Sequence, residues 1–271
     1  MVMISDQEFA GFQRFIFNEA GISLADSKKT LVTGRLQMRL QHYGLGSYSA
    51  YLTLIGSQAM LSERQLAVDL LTTNETYFFR EPKHFEFLRE VLGARAASAP
   101  PPRIWSAACS SGEEPYSIAM VLEDVLGARR TWSLLASDIS SRMLGRAATG
   151  LYSLERTEHL PRRYLERYCL RGTGPREGVF LVEEELRRKV ELRHINLNQP
   201  LPVIGQFDLI FLRNVLIYFN ADTKRRVLER LVGALRPGGW LLTGHAESLC
   251  DCDVGLNMVA PSIYRRPAHL N

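Results

Sequence analysis

The 271-residue chain carries 33 Lys and Arg against 29 Asp and Glu, a formal net charge of +4, and 46% of its residues are hydrophobic. That is enough apolar material for one large domain or two modest ones without covalent staples, and the small positive excess favours acidic partners without singling out nucleic acid. No stretch approaches the roughly 18 apolar residues of a membrane span, and no basic segment followed by an apolar run opens the chain, so a cytoplasmic protein with no direct membrane insertion is expected.

From Asp6 to about Leu92 the apolar spacing is helical: Phe9, Phe12, Phe15 and Ile16 recur at helix period, as do Leu31, Leu36 and Leu40. Asp26 or Ser27 is placed to cap a helix that Gly44 and Gly46 end, and further helices are expected at Ser47–Ile55, Glu63–Leu71 and Pro82–Leu92. Residues 1–92 thus read as an all-helical N-terminal domain. The Pro- and Ala-rich "ARAASAPPP" that follows, with no periodicity, reads as a linker over 93–102.

Beyond it, over 103–271, strands alternate with helices. Strands are expected at Arg103–Ala108, Thr131–Ser137, Val190–His194, Phe207–Leu212 and Trp240–Thr243, with short runs around Met258–Val259 and Ile263–Tyr264. Helices are expected at Glu114–Leu126, Ser141–Thr149 and Ala221–Leu235, and Pro237-Gly238-Gly239 reads as a turn. The alternation predicts an α/β fold with a mostly parallel, Rossmann-like sheet, helices on both faces. The glycines of "LRGTGPREGVF" predict a small antiparallel β insertion at about 168–192.

The loop "SAACSSGEEPYS" (106–117) joins the first strand to the first helix of that sheet. A pyrophosphate site there needs several glycines, and the loop has Gly112 alone, followed by Glu113 and Glu114. A ligand with positive groups and no phosphate suits it better, and S-adenosylmethionine is such a ligand; an ordinary helix start with acidic residues against its dipole is the alternative. Asp138, about 25 residues after Gly112 at the end of the second strand, is placed to accept from ribose hydroxyls or to cap the next helix. Arg213 and Asn214 emerge at the carboxyl end of the fourth strand, the edge where ligands bind in such sheets. Cys109, Cys169, Cys250 and Cys252 are scattered, and the Cys-x-Cys pair lacks the companions of a zinc site, so a reduced chain with no metal is expected.

Taken in order, "TTNETYFFREPKHF", "IWSAACSSGEEPYSIAMVLED", "ASDIS", "RGTGPREG", "FDLIFLRNVLIYF" and "LRPGGWLLTGHAE" resemble the bacterial chemotaxis receptor methyltransferases, the CheR family, over nearly the whole chain. The resemblance implies a helical N-terminal domain, a class I S-adenosylmethionine-dependent methyltransferase domain with the β insertion, and a protein-glutamate O-methyltransferase activity. It implies S-adenosylmethionine as donor, with S-adenosylhomocysteine as product. The acceptors it implies are glutamates of transmembrane chemoreceptor cytoplasmic domains; a monomer is expected. Carried over by position, it places Asn74, Thr76, Arg80, Glu114, Asp138, Asn196, Leu197, Arg213 and Asn214 at the cofactor. Arg80 is the catalytic candidate for orienting the incoming carboxylate, with Tyr218 a second candidate for lining that site.

Two partner surfaces are expected. Lys28, Arg35, Arg39 and His42 share one side of a helix, either as a solvated face or as a dock for an acidic receptor helix. The loop bearing Gly172, Gly174 and Gly178 resembles that of family members that tether to a receptor C-terminal peptide by strand addition, the bland alternative being a glycine-rich hairpin. An NAD-dependent oxidoreductase is disfavoured by the missing Gly-x-Gly-x-x-Gly loop. A nucleic-acid amino methyltransferase is disfavoured by the absence of an Asn/Asp-Pro-Pro-Tyr/Phe motif in "FLRNVLIYF", although a methyltransferase acting on another protein or nucleic acid stays the alternative. A cofactor-binding adaptor without turnover is disfavoured by the presence of Arg80 and the Arg213–Asn214 pair.

Overall fold

The computed structural model describes residues 2–96, 98–127 and 130–268; Ala97 of the expected linker and the last three positions of the expected 103–271 domain lie outside the described residues. Four helices open the chain: α1 (Asp6–Ala20), α2 (Lys29–His42), α3 (Tyr48–Gly56) and α4 (Leu61–Leu71). A capping box starts α1, where Ser5 Oγ accepts from the Glu8 N–H and Glu8 Oε2 accepts from the Ser5 N–H. Gly21, at φ +74°, ends it. Phe12, Ile16, Val32, Leu36, Tyr48 and Tyr51 are wholly buried in one cluster between these helices. Neither Asp26 nor Ser27 caps α2 as expected. They lie in a 3-10 turn before it, and Asp26 instead accepts from Gln13 Nε2 at 3.0 Å.

Helix α5 (Pro82–Gly93) follows an irregular stretch from Thr72 to Glu81. It carries an apolar stripe, but Phe85, Leu88 and Leu92 pack into the core beneath the sheet rather than into the helical bundle. In packing terms the boundary expected at 92 therefore falls near Thr72, and α5 belongs with the sheet.

The sheet is built from β1 (Arg103–Ser106), β2 (Ser133–Asp138), β6 (Val190–His194), β7 (Phe207–Leu212), β8 (Leu235–Thr243), β9 (Asn257–Ala260) and β10 (Ile263–Arg265) in the order β6-β2-β1-β7-β8-β10-β9. Strands β6, β2, β1, β7 and β8 run parallel, and β10 pairs antiparallel with both β8 and β9. Crossover helices α6 (Glu113–Leu126), α7 (Ser141–Thr149) and α10 (Ala221–Ala234) cover it. Trp105, Phe207, Ile210 and Leu231 fill one face and Ile104, Phe211, Leu122 and Phe85 the other. Strand order reverses at β1, which places a crevice beyond the carboxyl ends of β1, β2 and β7.

Two expectations are corrected. The insertion expected at about 168–192 begins earlier: its sheet is β3 (Leu151–Ser153), β5 (Val179–Val182) and β4 (Cys169–Arg171), antiparallel in the order β3-β5-β4. Residues 190–192 belong to β6 of the main sheet, where Val190 pairs with Leu134. Helices α8 (Arg162–Tyr168) and α9 (Glu184–Arg188) flank the small sheet. Pro237-Gly238-Gly239, expected as a turn, is absorbed in β8 as an irregularity of its pairing with β7; Gly238 sits at φ +78° there.

Candidate functional site

At the predicted crevice lies an open cleft lined by residues of both the helical domain and the sheet edge. Asn74, Thr76, Arg80, Glu114, Asp138, Asn196, Leu197, Arg213, Asn214 and Tyr218 all line it. These residues come from five separate segments, which the sheet edge and the Thr72–Glu81 stretch bring together.

The loop after β1 turns tightly, with Ser110 at φ +47° and Gly112 at φ +100°. Its Ser110 N–H donates to Asp138 Oδ2 at 2.8 Å, and the Ser140 N–H donates to Asp138 Oδ1 at 2.8 Å. Each Asp138 oxygen so anchored keeps acceptor capacity toward the cleft. Burial pushes this carboxyl above its usual range against those two hydrogen bonds. The two adjacent glutamates part company. Glu113 turns away to accept from Ser111 Oγ and to pair with Arg156, whereas Glu114 borders the cleft.

Glu114 accepts from Ser106 Oγ at 2.7 Å through Oε1 and from Arg213 Nη1 at 3.0 Å through Oε2. Arg213, with a side chain 1% exposed, also lies 3.2 Å from Glu81 Oε2 and donates to the carbonyl of Arg80. Its fork is thus spent inside the protein, holding Glu114 and the Arg80–Glu81 turn; its part in the site is to position other groups. Asn214, at φ +58°, donates its N–H to Glu247 Oε2 at 2.6 Å, and Glu247 also receives the Ile217 and Gly244 N–H groups.

Arg80 stands between two residues in left-handed backbone, Phe79 (φ +53°) and Glu81 (φ +57°), which aims it at the cleft. Its Nη1 donates to the Glu75 carbonyl at 3.0 Å and its guanidinium lies over Tyr77. Among the described residues it has no carboxylate partner, in contrast to Arg213. Tyr218, on a 3-10 turn after β7, faces the same space, and burial raises its phenol pKa. Asn74 accepts Ser110 Oγ at its carbonyl and donates through Nδ2 to Thr72 Oγ1. The Thr76 carbonyl receives Arg156. Asn196 spends Nδ2 on the Glu19 carbonyl at 2.6 Å, tying this wall to α1, and Leu197 beside it is buried.

The expected receptor-facing stripe is corrected in part. Arg39 gives Nε and Nη2 to the two oxygens of buried Glu63, at 2.8 and 2.6 Å, and Arg35 donates Nη1 to the Leu70 and Thr72 carbonyls. Both are internal ties, so of the four only Lys28 and His42 stay exposed. Gly172, Gly174 and Gly178 serve the hairpin itself. Gly174 and Gly178 have positive φ, and a Cβ on Gly172 would meet the Arg176 carbonyl oxygen at 1.9 Å.

Several lining residues have no local signal in the sequence. Ala20 and Ile22 reach the cleft from the helical domain, and Ile139 and Ile195 supply apolar wall beside Leu197. Glu81 and Glu247 act through contacts with residues far away in the chain, which no spacing discloses.

Residues 74–262 match the family model described as the CheR methyltransferase, SAM binding domain, and residues 7–72 match the CheR methyltransferase, all-alpha domain. The chain belongs to the CheR family. It is 41% identical over 263 residues to the chemotaxis protein methyltransferase of Escherichia coli strain K12, covering 96% of this chain and 91% of that one. To chemotaxis protein methyltransferase 2 of Pseudomonas aeruginosa it is 43% identical over 260 residues, covering 95% and 92%. The Salmonella typhimurium relative of the same description is 41% identical over 263 residues, covering 96% and 90%.

This CheR-family chain is therefore an S-adenosylmethionine-dependent methyltransferase of the class I fold, and its relatives tie it to chemotaxis. Among the described residues no helix is long and apolar enough to cross a membrane. The cleft's chemistry fits that cofactor. It offers an anchored carboxylate at the end of β2, an apolar wall of Ile139, Ile195 and Leu197, and no phosphate-type cradle of successive glycines.

Proposed function

We propose that the protein methylates glutamate side-chain carboxylates in the cytoplasmic domains of chemoreceptors, giving glutamyl methyl esters, and that it works in the cytoplasm. The observation that carries this reading is Arg80, a cleft-lining guanidinium without a carboxylate partner among the described residues. A fork of donors left open beside the cofactor cleft suits a carboxylate acceptor. The family relatives' names support a role in chemotaxis.

Asp138 is positioned to accept from ribose hydroxyls, Ile139, Ile195 and Leu197 to cover the adenine, and Asn74, Thr76 and Asn214 to line the amino-acid end. S-adenosylmethionine, when bound, supplies a methyl group activated by its sulfonium. The acceptor glutamate is ionised at neutral pH, so no general base is required of the chain. Arg80 then holds the carboxylate in line with that methyl while Tyr218 narrows the approach, and positioning is the protein's main contribution. The outer strand β4, with Leu170 54% exposed beside the glycine hairpin, supports tethering by a receptor C-terminal peptide added as a further strand.

Transfer of radiolabelled methyl from S-adenosylmethionine to receptor-containing membranes tests the reading. Label on a receptor that mild alkali releases is expected. Alkali-stable label, or none from a folded protein that binds the cofactor, sends the acceptor elsewhere.

A further inference from the structure

Outside the cofactor cleft, on the other side of Glu81, the start of α5 meets the loop after β8 at a second surface cleft of about 910 Å3, lined by His84, Glu86, Glu90, His245 and Ser262. His84 is 1% exposed, and neither of its ring nitrogens has a hydrogen-bond partner. Glu81 Oε2 lies 3.3 Å from Nδ1 but out of hydrogen-bond geometry. A buried imidazole with both nitrogens unmet is unfavourable, so the arrangement calls for a further occupant. One ligand atom each from Glu81, His84 and His245 lies within 4.8 Å of the others.

We propose that Glu81, His84 and His245 form a binding site for a divalent transition-metal ion of the zinc class. Two imidazoles and one carboxylate are a donor set that holds Zn2+ with a fourth position open. Glu81 and His84 stand three residues apart across the first turn of α5, the Glu-x-x-His spacing that presents both groups to one side. His245 is exposed, and its ring centroid lies 5.5 Å from that of His84. Arg213, 3.2 Å from Glu81 Oε2, would share that carboxylate with the ion, while Glu114 at 3.0 Å gives the guanidinium a carboxylate of its own. Lys83 at the rim is outnumbered by Glu86 and Glu90.

The test is titration of the untagged full chain, freed of metal, with Co2+ followed by Zn2+. One equivalent of Co2+ should give the visible absorption of a four-coordinate site, and Zn2+ should displace it. Loss of an outer-shell partner costs roughly 10- to 100-fold in metal affinity, so loss of a ligand by His245→Ala should weaken Zn2+ binding by more than about 100-fold. His245 is exposed, so that variant keeps its fold; His84→Gln, checked by circular dichroism, should do the same to binding. Absence of the Co2+ absorption in the wild type, or binding that survives either substitution, overturns the proposal.

Discussion

Asp69, in α4 of the helical domain, caps a helix of the methyltransferase domain: its two carboxylate oxygens accept from the backbone N–H groups of Ser141 at 3.2 Å and Arg142 at 3.1 Å. Those donors are orphans of the first turn of α7, and a negative charge there also meets the positive end of the helix dipole. Asp69 is 4% exposed and takes a third bond from Gln65. Asp69→Ala should therefore destabilise the protein by about 1–2 kcal/mol, read from urea unfolding. Because α7 follows directly on Asp138 and Ile139 of the cleft, S-adenosylhomocysteine binding should weaken in the same variant.

The Arg39–Glu63 pair predicts a pH dependence. Burial pushes the Glu63 carboxyl up, but hydrogen bonds from Arg39 and Tyr51 outweigh it, and the group ends below its usual 4.5. A depressed folded-state value contributes stability that is present above the unfolded value and lost as pH falls through the folded one. Glu63→Gln should cost about 3 kcal/mol at neutral pH, and the gap to wild type should close as pH drops below about 4.5. A gap that stays constant to low pH contradicts this account.

Arg80→Ala should lower turnover about 100- to 1,000-fold while leaving S-adenosylhomocysteine affinity within a few-fold. Tyr218→Phe keeps the ring that narrows the approach and should change turnover little. Methyl-transfer assays beside calorimetric binding separate the two effects. Near-normal turnover in folded Arg80→Ala removes this side chain from the mechanism.

Gly112 is expected to be irreplaceable. At φ +100° any side chain is strained, and a Cβ would lie 2.7 Å from the Tyr152 hydroxyl and 2.9 Å from Ala147 Cβ. Gly112→Ala should cost at least about 1–3 kcal/mol, visible as a lower melting temperature.

Elements with a strong period were legible in the sequence, and groups defined by distant partners were not. Val190–His194 stands where alternating apolar residues placed it, Phe207–Leu212 where a short apolar run did, and helix Ser141–Thr149 has its expected bounds. Strand β3 is three residues long and has no period to read, so the small sheet's first strand escaped notice. Helix α5 has a clear apolar stripe, but a stripe does not say which core it joins, and this one joins the sheet. Arg213 was legible as a polar residue at a strand end; that its fork is consumed by Glu81 and Glu114 follows only from tertiary contacts. The basic spacing of Arg35 and Arg39 was also visible, yet Glu63 and two carbonyls, all at least 24 positions away, had already claimed them.

The ties of Arg213 also bear on how the protein folds. They reach Glu114 and Glu81 across 99 and 132 positions, and such closures come only after intervening segments have found their places. The parallel pairing of β7 beside β1 must precede them. A nascent or partly refolded chain can thus hold much of its secondary structure and still lack the wall that carries Arg80. Recovery of ligand binding should lag recovery of helical signal during refolding, so the cleft is among the last features the chain acquires.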